Sequence, residues 1–139
     1  MNRSDLKKLS AMRLSDAKAL LRTRRNNAGA YYIAGYAVEC AIKACIARQQ
    51  GQYPFPAKIK ESDYYIHSPA RLLETAGLSQ LLGADRAINP DLDENWSIVA
   101  NWSETERYQP KIKRALAESL VKAIEDPQNG ILVWLKKYW

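Results

Sequence analysis

Histidine is almost missing from this chain of 139 residues, with His67 standing alone, and cysteine is limited to Cys40 and Cys45. One histidine cannot build a two-histidine metal site, and no Cys/His set shows metal-ligand spacing, so no metal is expected. A glycine-rich phosphate loop is lacking too, and no cofactor is implied. Cys40 and Cys45 lie five residues apart on one expected helix, roughly 140° around it. They cannot pair there and read as small, reduced core thiols, which fits a cytoplasmic chain. The longest apolar stretch, "AGAYYIAGYAVECAIKACIA", is broken by Glu39 and Lys43; a bilayer-spanning helix needs ~20 mostly apolar residues, so no span and no membrane partner are expected. "MNRSDLKKLS" has no apolar core behind its basic residues, and no secretory signal is expected. No run sustains the period-two alternation of a strand, and no internal repeat occurs.

What remains is ordinary globular material, 47% hydrophobic and 26% charged, long enough for one domain over residues 1–139. Its net charge of +6 is unevenly placed. Residues 1–25 carry eight basic side chains against Asp5 and Asp16, while the other 114 residues balance at thirteen of each sign. The excess therefore belongs to the first helix. That asymmetry marks either a polyanion-facing surface or a solvated basic helix.

The apolar pattern is helical nearly throughout. A first helix, capped by Ser4 or Asp5, runs to about Arg25, with Leu6, Leu9, Leu14, Ala17, Leu20 and Leu21 on one stripe. Lys7, Lys18, Arg22 and Arg25 form a separate stripe. After the Asn26-Asn27 turn, a second helix spans about residues 28–50 and is apolar almost all round. Its small side chains suit a central helix. One narrow polar line crosses it, formed by Tyr32, Tyr36, Glu39 and Lys43, and Glu39/Lys43 is an i, i+4 pair in the favoured order. "GQYPFPAKIKESDYY" reads as a loop. Ser68 and Pro69 cap and open a third helix that stops near Gly77. Short helices are expected over 79–88 and 91–102. The next, over 111–125, turns Ile112, Leu116, Ser119, Leu120 and Ala123 to the core, and Pro127 opens a last one. The fold class is all-α: an antiparallel up-and-down helical bundle with two long N-terminal helices and shorter C-terminal ones.

The second helix, "AGAYYIAGYAVECAIKACIARQ", contains Ala37-Val38-Glu39-Cys40-Ala41-Ile42-Lys43, an A-x-E-x-x-x-K element. With "DAKALL" (Asp16–Leu21), "HSPARLL" (His67–Leu73) and the W-x-x-x-x-R-Y strip from Trp102 to Tyr108, it resembles the stand-alone prokaryotic type of the HEPN (higher eukaryotes and prokaryotes nucleotide-binding) domain. The resemblance covers nearly the whole chain. It implies a helical bundle, usually a homodimer, that serves as a metal-independent ribonuclease toxin, as the partner of a small nucleotidyltransferase, or as a non-catalytic nucleotide- or RNA-binding module. Ribonuclease members carry an Arg and a following His separated by four to six intervening residues. From Arg107 those positions hold Ile112, Lys113 and Arg114, and the nearest approach before His67 is Lys60. Lysine does not reproduce the bidentate guanidinium grip on phosphate.

The expected ligand site accordingly gathers Tyr32, Tyr36, Glu39, Lys43, Arg107, Tyr108, Lys111 and Arg114. Lys7, Lys18, Arg22 and Arg25 add a nucleic-acid surface. Arg107 is one way to satisfy Glu39, since a carboxylate accepts a guanidinium fork. Trp96, Trp102 and Tyr108 are either core aromatics or the wall of a nucleotide groove, and the pattern leaves both open. Glu104/Glu106 and Asp91/Asp93/Glu94 read as surface acid rather than general acid–base pairs. Three functions follow: a nucleotide- or RNA-phosphate-binding module without the usual ribonuclease motif, a ribonuclease using Arg107 and His67, or an interaction subunit docking an acidic protein partner. For His67 a structural hydrogen-bonding role at the head of its helix competes with catalysis.

Overall fold

The computed structural model describes residues 1–52, 66–103 and 110–139. Among them are seven helices and no strand. In chain order these are α1 (Arg3–Arg22), α2 (Asn27–Gln52), α3 (Pro69–Thr75), α4 (Ser79–Ile88), α5 (Pro90–Ala100), α6 (Arg114–Glu125) and α7 (Ile131–Leu135). The architecture is the expected helical bundle with two long helices first.

Helix α1 starts earlier than the sequence suggests. Asn2 is its cap, accepting from the Asp5 backbone N–H, and the Asp5 side chain accepts in return from the Asn2 N–H. Two otherwise orphaned donors are satisfied by this reciprocal box. The helix ends at Arg22, short of Arg25, because Arg24 adopts a left-handed backbone with φ of 60° and reverses the chain. Helix α2 then runs antiparallel to α1. Leu20 comes within 3.6 Å of where a Cβ on Gly29 would sit, and the buried Ser10 hydroxyl donates to the Ala37 carbonyl at 2.8 Å. Gly51, expected in the loop, falls in the last turn of α2; residues 53–65 of that expected loop lie outside the described residues.

Helix α2 is the centre of the molecule, packed by α1, α3, α6 and α7. Ala30, Ala34, Val38, Ala41, Ile42, Cys45 and Ile46 are fully buried on it. By length and composition its 27–51 segment could cross a membrane despite Glu39 and Lys43, yet 72% of its apolar window is covered by the bundle.

Helix α3 begins as expected, with Ser68 accepting from the Arg71 N–H and Pro69 in the first turn. It ends in a Schellman turn. Leu78 N–H bonds the Leu73 carbonyl, Gly77 N–H bonds the Glu74 carbonyl, and Gly77 has φ of 71°, where a side chain is strained. Asn89 caps α5 and Pro90 opens it.

Two expectations near the C-terminus are corrected. Helix α6 starts at Arg114, three residues late, and turns Ala117, Leu120, Val121 and Ile124 inward, while Leu116 and Ser119 face out. Leu120 and Ala123 of the expected stripe are buried and Ile112 packs against the core, and the buried face extends to Ala117, Val121 and Ile124 in place of Leu116 and Ser119. Pro127 does not open α7; residues 126–129 form a turn in which the Asp126 carboxylate accepts from the Gln128 and Asn129 N–H groups. The aromatic C-terminus packs inward. Trp134 and Leu135 are buried, Trp134 meets the Tyr138 ring at 4.8 Å, and the Trp134 indole donates to Asp85. Chain start and chain end meet there. The Arg3 guanidinium donates to the Trp139 carbonyl at 2.8 Å, and Lys7 lies over the Trp139 ring at 5.2 Å.

Candidate functional site

The polar line on α2 is placed by helical period alone: Tyr32, Tyr36, Glu39 and Lys43 fall within about 60° of each other. Glu39 is 1% exposed on an otherwise apolar helix. A carboxylate so deeply withdrawn from water must be paired or give up its charge. It is doubly paired. Lys43 Nζ lies 2.6 Å from Oε1, while His67 Nδ1 lies 3.0 Å from Oε1 and 3.1 Å from Oε2. Both partners are less hidden than the acid between them, with side chains 18% exposed at Lys43 and 35% at His67.

His67 is aimed by local chemistry. Ser68 caps α3 and Pro69 fixes the first turn, so the residue just before them is held against the middle of α2. Because a carboxylate only accepts, the His67 Nδ1 carries a proton in this contact. The acid thereby fixes the imidazole orientation and leaves Nε2 as the nitrogen that faces away from it. A carboxylate-oriented imidazole of this kind can donate or take a proton.

Beside the trio, Tyr36 and Tyr32 are half-buried. Burial, then the neighbouring Cys40 and Glu39, raise the Tyr36 hydroxyl above its ordinary value. Cys40 shares a hydrogen bond with Tyr36, and burial followed by the Glu39 charge pushes its thiol up to about 11. Cys45 bonds the Leu135 carbonyl, and burial pushes it up to about 12. Both are free thiols and neither is a nucleophile near neutral pH. The other wall is Trp102, whose ring stacks on Tyr32 with centroids 6.1 Å apart and planes inclined by 29°. It lies so close over α2 that a Cβ on Gly35 would come 2.0 Å from the indole. Trp96 and Trp102 are both core residues, at 6% and 2% exposure. Among the described residues, the Trp102 indole N–H is buried without a hydrogen-bond partner.

The structure thus brings together Tyr32, Tyr36, Glu39, Lys43 and His67. Arg107 and Tyr108, with Glu104 and Glu106, lie outside the described residues. Lys111 and Arg114 belong to a different corner. Arg114 pairs with Glu118 at 2.6 Å and donates to the Leu21 carbonyl, tying the start of α6 to the end of α1. Of the first-helix cations, Lys7 covers Trp139 and Lys18 pairs with Glu125 at 2.8 Å, whereas Arg22 and Arg25 are exposed. Sequence reasoning missed the grip of His67 on Glu39. The available signal was a lone histidine entering a helix and a carboxylate needing more donors than one lysine gives. Among the described residues no group of three or more His, Cys, Asp or Glu side chains is arranged to hold a metal ion. The chain matches no protein-family model, no curated protein and no solved structure.

Proposed function

We infer that this chain is a HEPN-type helical module that binds a nucleotide or RNA phosphate at the α2–α3 corner, in a toxin–antitoxin or nucleotidyltransferase-associated setting. The observation that carries this reading is the withdrawn Glu39 carboxylate, which organises a lysine and an imidazole, both partly exposed, beside two tyrosine rings. Burying an ion pair stabilises a fold poorly compared with apolar packing, so its retention suits a role in positioning charge. Lys43 supplies further ammonium donors, the imidazole a directed ring nitrogen, and Tyr32 and Tyr36 apolar faces on which a base can stack. Arg107 is the further phosphate ligand that the resemblance implies.

The test is equilibrium binding of a mononucleotide and of short RNA at low salt. Lys43→Met and Arg107→Ala should each weaken affinity about tenfold, the loss of a charge-assisted hydrogen bond. Absence of binding at low salt, or affinity unchanged in both variants, defeats the proposal.

The His67–Glu39 contact also favours a second reading, a metal-independent ribonuclease. In it His67 takes the proton of a ribose 2′-hydroxyl as that oxygen attacks the adjacent phosphorus, and the P–O5′ bond breaks as the imidazolium so formed returns that proton to the departing 5′ oxygen. Arg107 would neutralise the phosphorane charge. RNA cleavage that survives a chelator and disappears in His67→Ala would establish it; no cleavage by the unaltered chain rules it out.

A further inference from the structure

The positive charge of the molecule is concentrated more tightly than the sequence suggests, at the end of the first-helix stripe and the start of α6. From residue 18 to residue 25 the chain carries Lys18, Arg22, Arg24 and Arg25 with no acid. From 110 to 125 it carries Lys111, Lys113, Arg114 and Lys122 against Glu118 and Glu125. The bond from Arg114 to the Leu21 carbonyl joins these two segments at one corner. Eight cations and two carboxylates leave a surplus of six, which equals the net charge of the whole chain.

The surface there is concave. A groove of about 360 Å³ runs between α1 and α6, bordered by Lys18 and Arg22 on one side and by Arg114, Glu118 and Lys122 on the other. Both acids are already engaged, Glu118 by Arg114 and Glu125 by Lys18, whereas Arg22, Arg24, Arg25, Lys113 and Lys122 are all exposed. Arg24 adds an independent sign. It occupies the left-handed position at the end of α1, where glycine is the low-strain residue. Strain of this kind collects at functional sites.

We propose that the α1–α6 corner binds the phosphodiester backbone of a single-stranded nucleic acid, so that the ligand is a polymer and not a free nucleotide. The choice of nucleic acid rests on the function proposed above; the position and charge of the corner do not. Other polyanionic partners fit less well. An acidic protein or a membrane surface needs an apolar anchor at the centre of the contact. The apolar residues lining this groove, Leu21 and Val121, are already 8% and 4% exposed. The exposed Leu116 lies roughly 160° around α6 from Arg114 and Glu118. The Arg114–Lys122 stripe is about 12 Å long, enough for roughly three phosphates of one strand.

The experiment uses the full chain and a fluorescein-labelled twelve-residue oligouridylate, titrated across a salt series, with a mononucleotide and polyglutamate as parallel probes. The triple variant Arg24→Glu, Lys113→Glu, Lys122→Glu alters exposed side chains that take no part in the Glu39–Lys43–His67 trio. It should weaken oligonucleotide binding at least tenfold and flatten the log–log salt slope by about 2, at ~0.7 per lost cation contact. Mononucleotide affinity should stay within twofold, while Lys43→Met weakens mononucleotide binding about tenfold and leaves the contribution of the corner cations to the oligonucleotide salt slope in place. If the mononucleotide fails to bind but the oligonucleotide binds and responds to the triple variant, the corner stands without the α2 site. An oligonucleotide affinity and slope unaffected by the triple variant overturns the proposal, as does polyglutamate binding as tightly as the RNA.

Discussion

Gly35 is the residue at which the packing of the site is least forgiving. Trp102 occupies the space that any side chain there would need, with indole carbon 2.0 Å from the missing Cβ and the helix backbone beneath it. Gly35→Ala therefore forces the indole off Tyr32 or α2 off its neighbours. The expected loss is about 2–3 kcal/mol, the upper range for overpacking, read as a lowered urea midpoint. In Gly35→Ala/Trp102→Leu the two losses should be less than additive, since the smaller ring-free side chain gives way; full additivity would mean that the two residues do not meet. The sequence announces little of this, because a glycine in a helix of alanines looks like one more small residue. Glu39 is the opposite case. A single acid among apolar neighbours announces that it needs partners, and Lys43 is evident four residues on. His67 is not, since 28 residues separate it from Glu39 and only the docking of α3 on α2 brings them together.

For the elements, type was legible and phase only in part. Seven helical segments follow from apolar period and from caps such as Ser68-Pro69 and Asn89-Pro90, because these signals are local. The inward face of α6 was misjudged because Leu116 is apolar yet exposed, and only tertiary packing decides which edge of a broad apolar stripe meets the core. The end of α1 was placed three residues late for a different reason. Arginine is a good helix former, and nothing local reveals that Arg24 turns left-handed. Arg24→Gly should relieve that strain and stabilise the fold by roughly 1 kcal/mol, raising Tm by about 2–4 °C. Arg24→Ala, which keeps a Cβ, should bring no such gain. A lower Tm in Arg24→Gly would mean that the arginine side chain contributes more to the fold than its backbone costs.

At the scale of the whole molecule the buried thiols give stability a pH dependence. In the unfolded chain both cysteines ionise near 9, while in the folded one Cys40 keeps its proton to about 11 and Cys45 to about 12. The unfolded state therefore binds fewer protons above pH 9, and stability falls as pH rises. Their contribution is whole below pH 9 and drains away between 9 and about 12. Urea midpoints measured at pH 8 and pH 10.5 should differ more in the unaltered chain than in Cys40→Ala/Cys45→Ala; equal differences would place the alkaline sensitivity elsewhere, with Tyr36 next in line. The closeness of Arg3 to Trp139 has a separate outcome for engineering. A peptide of a few residues, at ~3.3–3.6 Å each, would close the backbone into a ring. Reopening that ring between Arg25 and Asn26 would yield a permuted protein with the same charges and helices but a severed hairpin. Comparing the two connectivities would separate what the polypeptide's route contributes from what its surface contributes.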